Sequence, residues 1–247
     1  MRDTRRLGAL GFAIAAGASL ALALGLTACE NVATYTQSSL VRVIDASYNA
    51  PAFDAIVEDV TLASNMGEGT ISPYGTLTAS SNALIKLVEH ATPTTTLLST
   101  NGTILAGKQH TILITDNGAS GTGYTVNILE DQSTEAAGGH SAFRFINESA
   151  KITTGVDIYV VPSGSTLANA IAVYSSLTSG NITGYITFQS QTVTIYITAA
   201  GSTTTTYAKQ SFSLTGGEVY TVLLSDTQLT SNPAITVSYA TDNGTIN

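Results

Sequence analysis

Few side chains of this chain have both the type and the setting for chemistry. Cys29 is the only thiol. Three histidines, His90, His110 and His140, are the only neutral-pH bases, and no His-x-x-x-His or His-x-His spacing joins them into a metal site. Asp54 and Asp157 each precede an apolar run, and Arg42 and Arg144 each open one. An Asp at a strand start either offers a carboxylate to a cation or sugar hydroxyl or bonds the neighbouring backbone N–H groups, and the second role is the commoner. A recurring Arg is read as structural, with Arg42 facing Asp54 and Arg144 facing Asp157 as the expected pairs. Glu130-Asp131 and Glu58-Asp59 are adjacent in sequence and make no acid–base pair. Asp116-Asn117-Gly118 and Asp242-Asn243-Gly244 read as turns, since neither continues into the oxygen ligands of a calcium loop. No Gly-x-Ser-x-Gly elbow and no phosphate loop occurs. The expectation is a non-enzymatic chain with no cofactor and no metal.

The setting of Cys29 is more specific. Arg2, Arg5 and Arg6 form a basic start, and the 23 residues from Leu7 to Cys29 carry no charge. That length could span a bilayer. The segment ends in Leu26-Thr27-Ala28-Cys29, however, and this resembles the bacterial lipobox, in which an apolar residue and two small residues precede a Cys. The resemblance implies cleavage before Cys29 and lipidation of its thiol, so that the protein meets the membrane through an N-terminal lipid. Residues 1–28 are then the lipoprotein signal peptide and 29–39 a lipidated tether. Glu30 follows the Cys, where an Asp would resemble an inner-membrane retention signal. The expected place is therefore the bacterial cell envelope, with the outer membrane favoured.

Composition agrees with a β fold. The chain has 247 residues, 43% hydrophobic but only 11% charged, with 9 Lys+Arg against 17 Asp+Glu and a formal charge of −8. Ser, Thr, Gly and Asn fill the gap left by charge, which suits strand faces and turns. Loss of residues 1–28 removes Arg2, Arg5, Arg6 and Asp3 and leaves 6 basic and 16 acidic residues, a charge of −10. Such an acidic chain has no electrostatic footprint for nucleic acid. One Cys excludes an internal disulfide.

The positions worth noting recur because the chain repeats itself. Arg42–Ser47 parallels Arg144–Ser149, Ala52–Val57 parallels Gly155–Val160, and Gly107–Asp116 aligns without a gap on Gly217–Asp226. The first offset is 102 residues and the last 110, so the first copy holds a net eight extra residues, placed around Ala63–Tyr74 and Ala91–Thr103. Apolar residues alternate with period two, as at Val193, Ile195 and Ile197. Ile112–Ile114 are consecutive, as in a strand buried on both faces. The one helix candidate is short, near Ser165–Val173. The fold class expected is all-β: two tandem immunoglobulin-like antiparallel β-sandwich domains of roughly seven strands after an N-terminal signal segment. The domains are placed at 40–131 and 142–247, with a linker at 132–141.

Both copies resemble the bacterial domain of unknown function 4397. The resemblance rests on the openings Arg42–Ser47 with Pro51–Val57 and Arg144–Ser149 with Asp157–Val160, and on the closing strands Gly107–Ile114 and Gly217–Leu224. Asp45 and Asn147 stand where a His is more usual, and His110 where a Tyr is. The family implies an envelope location, often as a lipoprotein and often in tandem, and no established activity. The functional expectation is a lipid-anchored structural or binding module with an envelope protein or a glycan as partner. A carbohydrate-binding or adhesin-type surface protein is the alternative, and a hydrolase using Asp54 or His110 a third reading. Mass spectrometry of the mature protein is expected to find an acylated Cys29 as N-terminus. An intact Met1–Ala28 segment would exclude lipidation at this site.

Overall fold

A computed structural model describes residues 37–116, 123–226 and 235–242; Leu26, Thr27, Ala28 and Cys29 lie outside them. The protein is all-β. The first module holds β1 (Ser38–Asp45), β2 (Phe53–Val57), β3 (Val60–Met66), β4 (Gly75–Thr78), β5 (Ser80–Glu89), β6 (Thr96–Ile104), β7 (Gln109–Asp116) and β8 (Tyr124–Glu130). The second holds β9 (His140–Glu148), β10 (Val156–Pro162), β11 (Tyr174–Leu177), β12 (Asn181–Ile182), β13 (Ile186–Gln189), β14 (Thr192–Ala199), β15 (Thr206–Ser213), β16 (Val219–Asp226) and β17 (Ile235–Thr241). The segment expected as a helix is one 3-10 turn, Leu167–Asn169, with extended backbone on either side. Among the described residues no helix is long and apolar enough to cross a membrane.

Each module is a sandwich of two sheets, and the two have the same strand order. In the first, sheet β4-β1-β7-β8 faces sheet β3-β2-β5-β6. In the second, β12-β9-β16-β17, with β13 also on β9, faces β11-β10-β14-β15. The opening strand pairs in parallel with the penultimate one in both: Val43 lies against Ile112, and Phe145 against Val222. Eight strands form the first module rather than seven; in the second, one edge is divided into β12 and β13.

Alternation explains the layering. Val41 and Val43 of β1 and Ile112 and Ile114 of β7 point into the first core, with Phe53, Ile85 and Leu87 opposite. Phe143 and Phe145 of β9 and Val222 and Leu224 of β16 point into the second core, with Ile158, Ile195 and Ile197 opposite. The reverse faces of these same four strands meet each other: Ile44, Ala46, Leu113, Ile146 and Leu223 form a third apolar cluster, in which both modules take part. The consecutive apolar residues of β7 are thus those of a strand buried on both faces. Four sheets stack in a row, with the two inner ones forming the seam. Burying four Ile and Leu side chains there contributes roughly 6–12 kcal/mol at most, at about 1.5–3 kcal/mol each.

The turn after β3 reaches over the seam, so that a Cβ on Gly69 would stand 3.1 Å from Ser225 Oγ and 3.6 Å from Ser238 Oγ, both of the second module. Gly155, which leads into β10, is held tightly in another way. Its φ is +76°, and a Cβ there would lie 3.0 Å from the carbonyl carbon and oxygen of Ser176. Neither the backbone conformation nor the neighbouring main chain accommodates a side chain. Gly155→Ala is expected to lower unfolding free energy by about 1–3 kcal/mol, read as an earlier urea midpoint. An unchanged midpoint would show that β10 can shift.

Candidate functional site

The strongest polar constellation lies in the seam, at the end where β1 and β9 begin. Arg42 and Arg144 project from equivalent positions, each one residue out of phase with the core-facing side chains, so alternation turns both toward the partner module. Each guanidinium first engages its own module: Arg42 Nε donates to Thr111 Oγ1 at 2.9 Å, and Arg144 Nε to Thr221 Oγ1 at 3.2 Å. Each then crosses over. Arg42 Nη2 meets Asp242 Oδ1 at 2.6 Å, and Arg144 Nη2 meets Asp131 Oδ1 at 2.6 Å. The pairing expected from sequence is therefore corrected: Arg42 does not pair with Asp54, nor Arg144 with Asp157.

Two tyrosines complete the arrangement. Tyr74 OH donates to Asp131 at 2.7 Å and Tyr185 OH to Asp242 at 2.5 Å, while Thr111 and Thr221 donate to the same two carboxylates. Arg42 stacks 4.9 Å over the Tyr74 ring and Arg144 4.9 Å over that of Tyr185. All four charged side chains are at most 4% exposed. Burial alone would lower the Arg42 pKa, but Asp242, through its charge and its hydrogen bond, together with Tyr74 and Asp131, more than offsets it and the pKa is raised. Burial, helped by the adjacent carboxylates, raises both tyrosine hydroxyls against the pull of the arginines, so they stay protonated donors. Every charge in the set is matched and none faces solvent. The cluster can hold two sheets in register; it offers no open position to a substrate.

Asp54 and Asp157 have a different, shared task. Asp54 Oδ1 accepts from Ser64 Oγ at 2.6 Å and from the Asn65 N–H at 2.8 Å. Asp157 accepts from the N–H groups of Ser176 and Gly201, both at 2.8 Å. Asn65 and Ser176 both have φ of +53°, and the register of β2 on β3 and of β10 on β11 slips at these points. Each carboxylate thus satisfies the amide that a β-bulge releases. The pKa of Asp54 is lowered: slight burial works against this, and the bonds from Ser64, Asn65 and His90 prevail. His90 Nδ1 lies 2.8 Å from Asp54 at the surface. His110 is buried, and its Nε2 accepts from the Leu105 N–H at 3.0 Å; His140 is exposed beside the Gly138 carbonyl. Among the described residues no three His, Cys, Asp or Glu side chains are placed to hold a metal ion.

A cleft of about 470 Å³ opens at the other end of the seam, lined among others by Tyr48, Asn49, Asp116, Glu148, Lys151 and Asp226. Asp116 accepts the N–H groups of Tyr48 and Asn49, and Asp226 accepts that of Lys151. The Lys151 ammonium sits 4.1 Å over the Tyr48 ring.

Sequence reading missed Asp131, Asp242, Tyr74, Tyr185, Thr111 and Thr221 as a set. The signal was present: Tyr74 and Tyr185, like Asp131 and Asp242, lie 111 residues apart, one more than Thr111 and Thr221. Extending the repeat past its apolar strands would have paired them. Arg144→Met leaves Asp131 buried without its cation. It is expected to cost about 3–5 kcal/mol in urea unfolding at pH 7, and adding Asp131→Asn is expected to recover part of the loss. Equal stability of Arg144→Met and the wild type would exclude the pair as a clamp.

Comparison with known proteins adds a family. No curated protein matches the chain. A solved leucine-rich repeat protein from Bacteroides thetaiotaomicron aligns at 13% identity with a TM-score of 0.20, over 75% of this chain and 26% of that one, so this chain spans about a quarter of its length. A TM-score that low defines no shared fold. Residues 39–159, just under half of the chain and running from β1 into β10, match the family described as Domain of unknown function (DUF4397).

Proposed function

We propose that the protein is a lipid-anchored component of the bacterial cell envelope, in which two tandem copies of the DUF4397 module act as one non-catalytic structural or binding body. The observation that carries this reading is the crossed Arg–Asp cluster. It commits the most strongly charged buried groups of both modules to holding them together. Asp54 and Asp157, the carboxylates that their recurrence in the sequence singled out, are likewise engaged by bulge amides. The matching strand order of the two halves supports the tandem-copy reading. The Leu26–Cys29 motif supports the anchor, and Glu30 after it favours the outer membrane. A glycan-binding role is the second reading, favoured by the cleft with Tyr48, Asn49, Asp116 and Asp226 on its wall.

Fractionation of cells expressing the full chain tests the anchor. The wild type is expected in the membrane fraction and Cys29→Ser in the soluble one; a Cys29→Ser chain that stays with membranes would overturn lipid attachment. On a glycan array, binding that is lost in Asn49→Ala would favour the second reading, and uniform silence would remove it.

A further inference from the structure

The seam is reciprocal along most of its length: Arg42 with Arg144, Ile44 with Ile146, Thr111 with Thr221 and Leu113 with Leu223 occupy matching positions of β1, β9, β7 and β16. At the cleft end the correspondence breaks. The next inward-facing residue is Ala46 after β1 and Glu148 on β9. One module presents a methyl group to the seam and the other a carboxyl.

That carboxyl is poorly provided for. Its neighbour across the ladder is Ser225, a fully buried residue whose hydroxyl has no hydrogen-bond partner. The loop carrying Gly69 covers Ser225 from the first module. The charged groups around Glu148 are mostly of its own sign. From β7 comes Asp116, and from β16 Asp226, both occupied by backbone amides. Asp45 ends β1 one position out of phase with the seam-facing Ile44 and Ala46, with one oxygen bonded by Ser47 and the other buried without a partner. Glu68 lies on the crossing loop with contacts of its own. Lys151 is the cation on the cleft wall, and its ammonium stands over Tyr48. Residues 117–122 and 227–234 contain no ionisable side chain.

We propose that Glu148 makes the seam pH-sensitive: the closed seam holds its carboxyl neutral, and ionisation parts the modules at the cleft end while the crossed Arg–Asp cluster serves as the hinge. Burial first, and the Asp116 charge second, push the Glu148 pKa up to about 7 from an ordinary value of 4.5. The closed form binds the proton more tightly than the open one. Its advantage is therefore complete below about pH 4.5, fades as pH rises, and is gone above about 7. Over that interval the open population is expected to grow by up to about three hundredfold. Burial also raises Asp45, to about 6, so its share must be separated.

The test places a reporter thiol in the full chain carrying Cys29→Ser. Leu113→Cys reports exposure of the seam, and Ile195→Cys, in the core of the second module, reports global unfolding. Labelling rates are compared between chains with Glu148 and with Glu148→Gln at each pH, so that thiol ionisation cancels. At pH 4 the seam reporter is expected to react at nearly equal rates in the two backgrounds. At pH 8 it should react at least tenfold faster with Glu148, while the core reporter differs little. Glu148→Ala, the residue the other module carries, should behave as Glu148→Gln does, and the effect should persist in Asp45→Asn. A ratio near one at both pH values, an equal rise at both reporters, or loss of the effect in Asp45→Asn would each overturn the proposal.

Discussion

Two arginines that each reach past their own sheet to an aspartate of the other module set the terms for the rest of this structure. A buried ion pair returns little net stability over an apolar contact of equal volume, because desolving two charges costs about as much as their attraction gives. The adhesion between the modules therefore comes from the Ile44, Leu113, Ile146 and Leu223 layer. What that layer lacks is direction, since branched aliphatic side chains on two facing sheets can pack in several offsets. Arg42 on Asp242 and Arg144 on Asp131, each also tied to a threonine and stacked on a tyrosine, are satisfied together in one offset only. Sliding by one residue would strand four charges. The cluster selects the arrangement that the apolar layer stabilises.

The aspartates of the cluster sit where a strand has just ended, Asp131 after β8 and Asp242 after β17. Such residues usually solvate a turn. Here each lies beside the other module's opening strand, so the parallel pairing of opening and penultimate strands is what brings the end of one repeat to the start of the other. The bulge aspartates work locally by comparison. Asp54 and Asp157 let an edge strand carry a positive-φ residue without leaving an amide unbonded. Two pairs of aspartates, all recurrent, thus serve two scales of order.

Much of this was legible in sequence and some was not, for identifiable reasons. Period-two alternation at Val193, Ile195 and Ile197 and the unbroken run Ile112–Ile114 marked strands, and the gapless match of 107–116 with 217–226 marked the repeat. The number of strands was less visible, because β12 holds two residues and β4 four, too short for a period to register. Arg42 and Arg144 stood out by recurrence, but their partners did not. Nearness in sequence suggested Asp54 and Asp157, whereas the true partners belong to the other copy. A repeat read one copy at a time shows which residues recur; it does not show that they answer one another across copies. The seam itself was foreshadowed by strands apolar on both faces, which a free-standing two-sheet sandwich with one face in water does not need.

The position of β1 has a mechanical consequence. It is an interior strand, flanked by β4 on one side and β7 on the other. A pull on the chain at residue 37, directed along β1, does not peel one hydrogen bond at a time as it would from a hairpin edge. It loads the registers from Ser38 to Val41 on β4 and from Leu40 to Asp45 on β7 together, in shear. It also draws on Arg42, and through Arg42 on the last strand of the other module. Tension entering at the N-terminal side is thereby shared across both sandwiches before any single strand can leave its sheet.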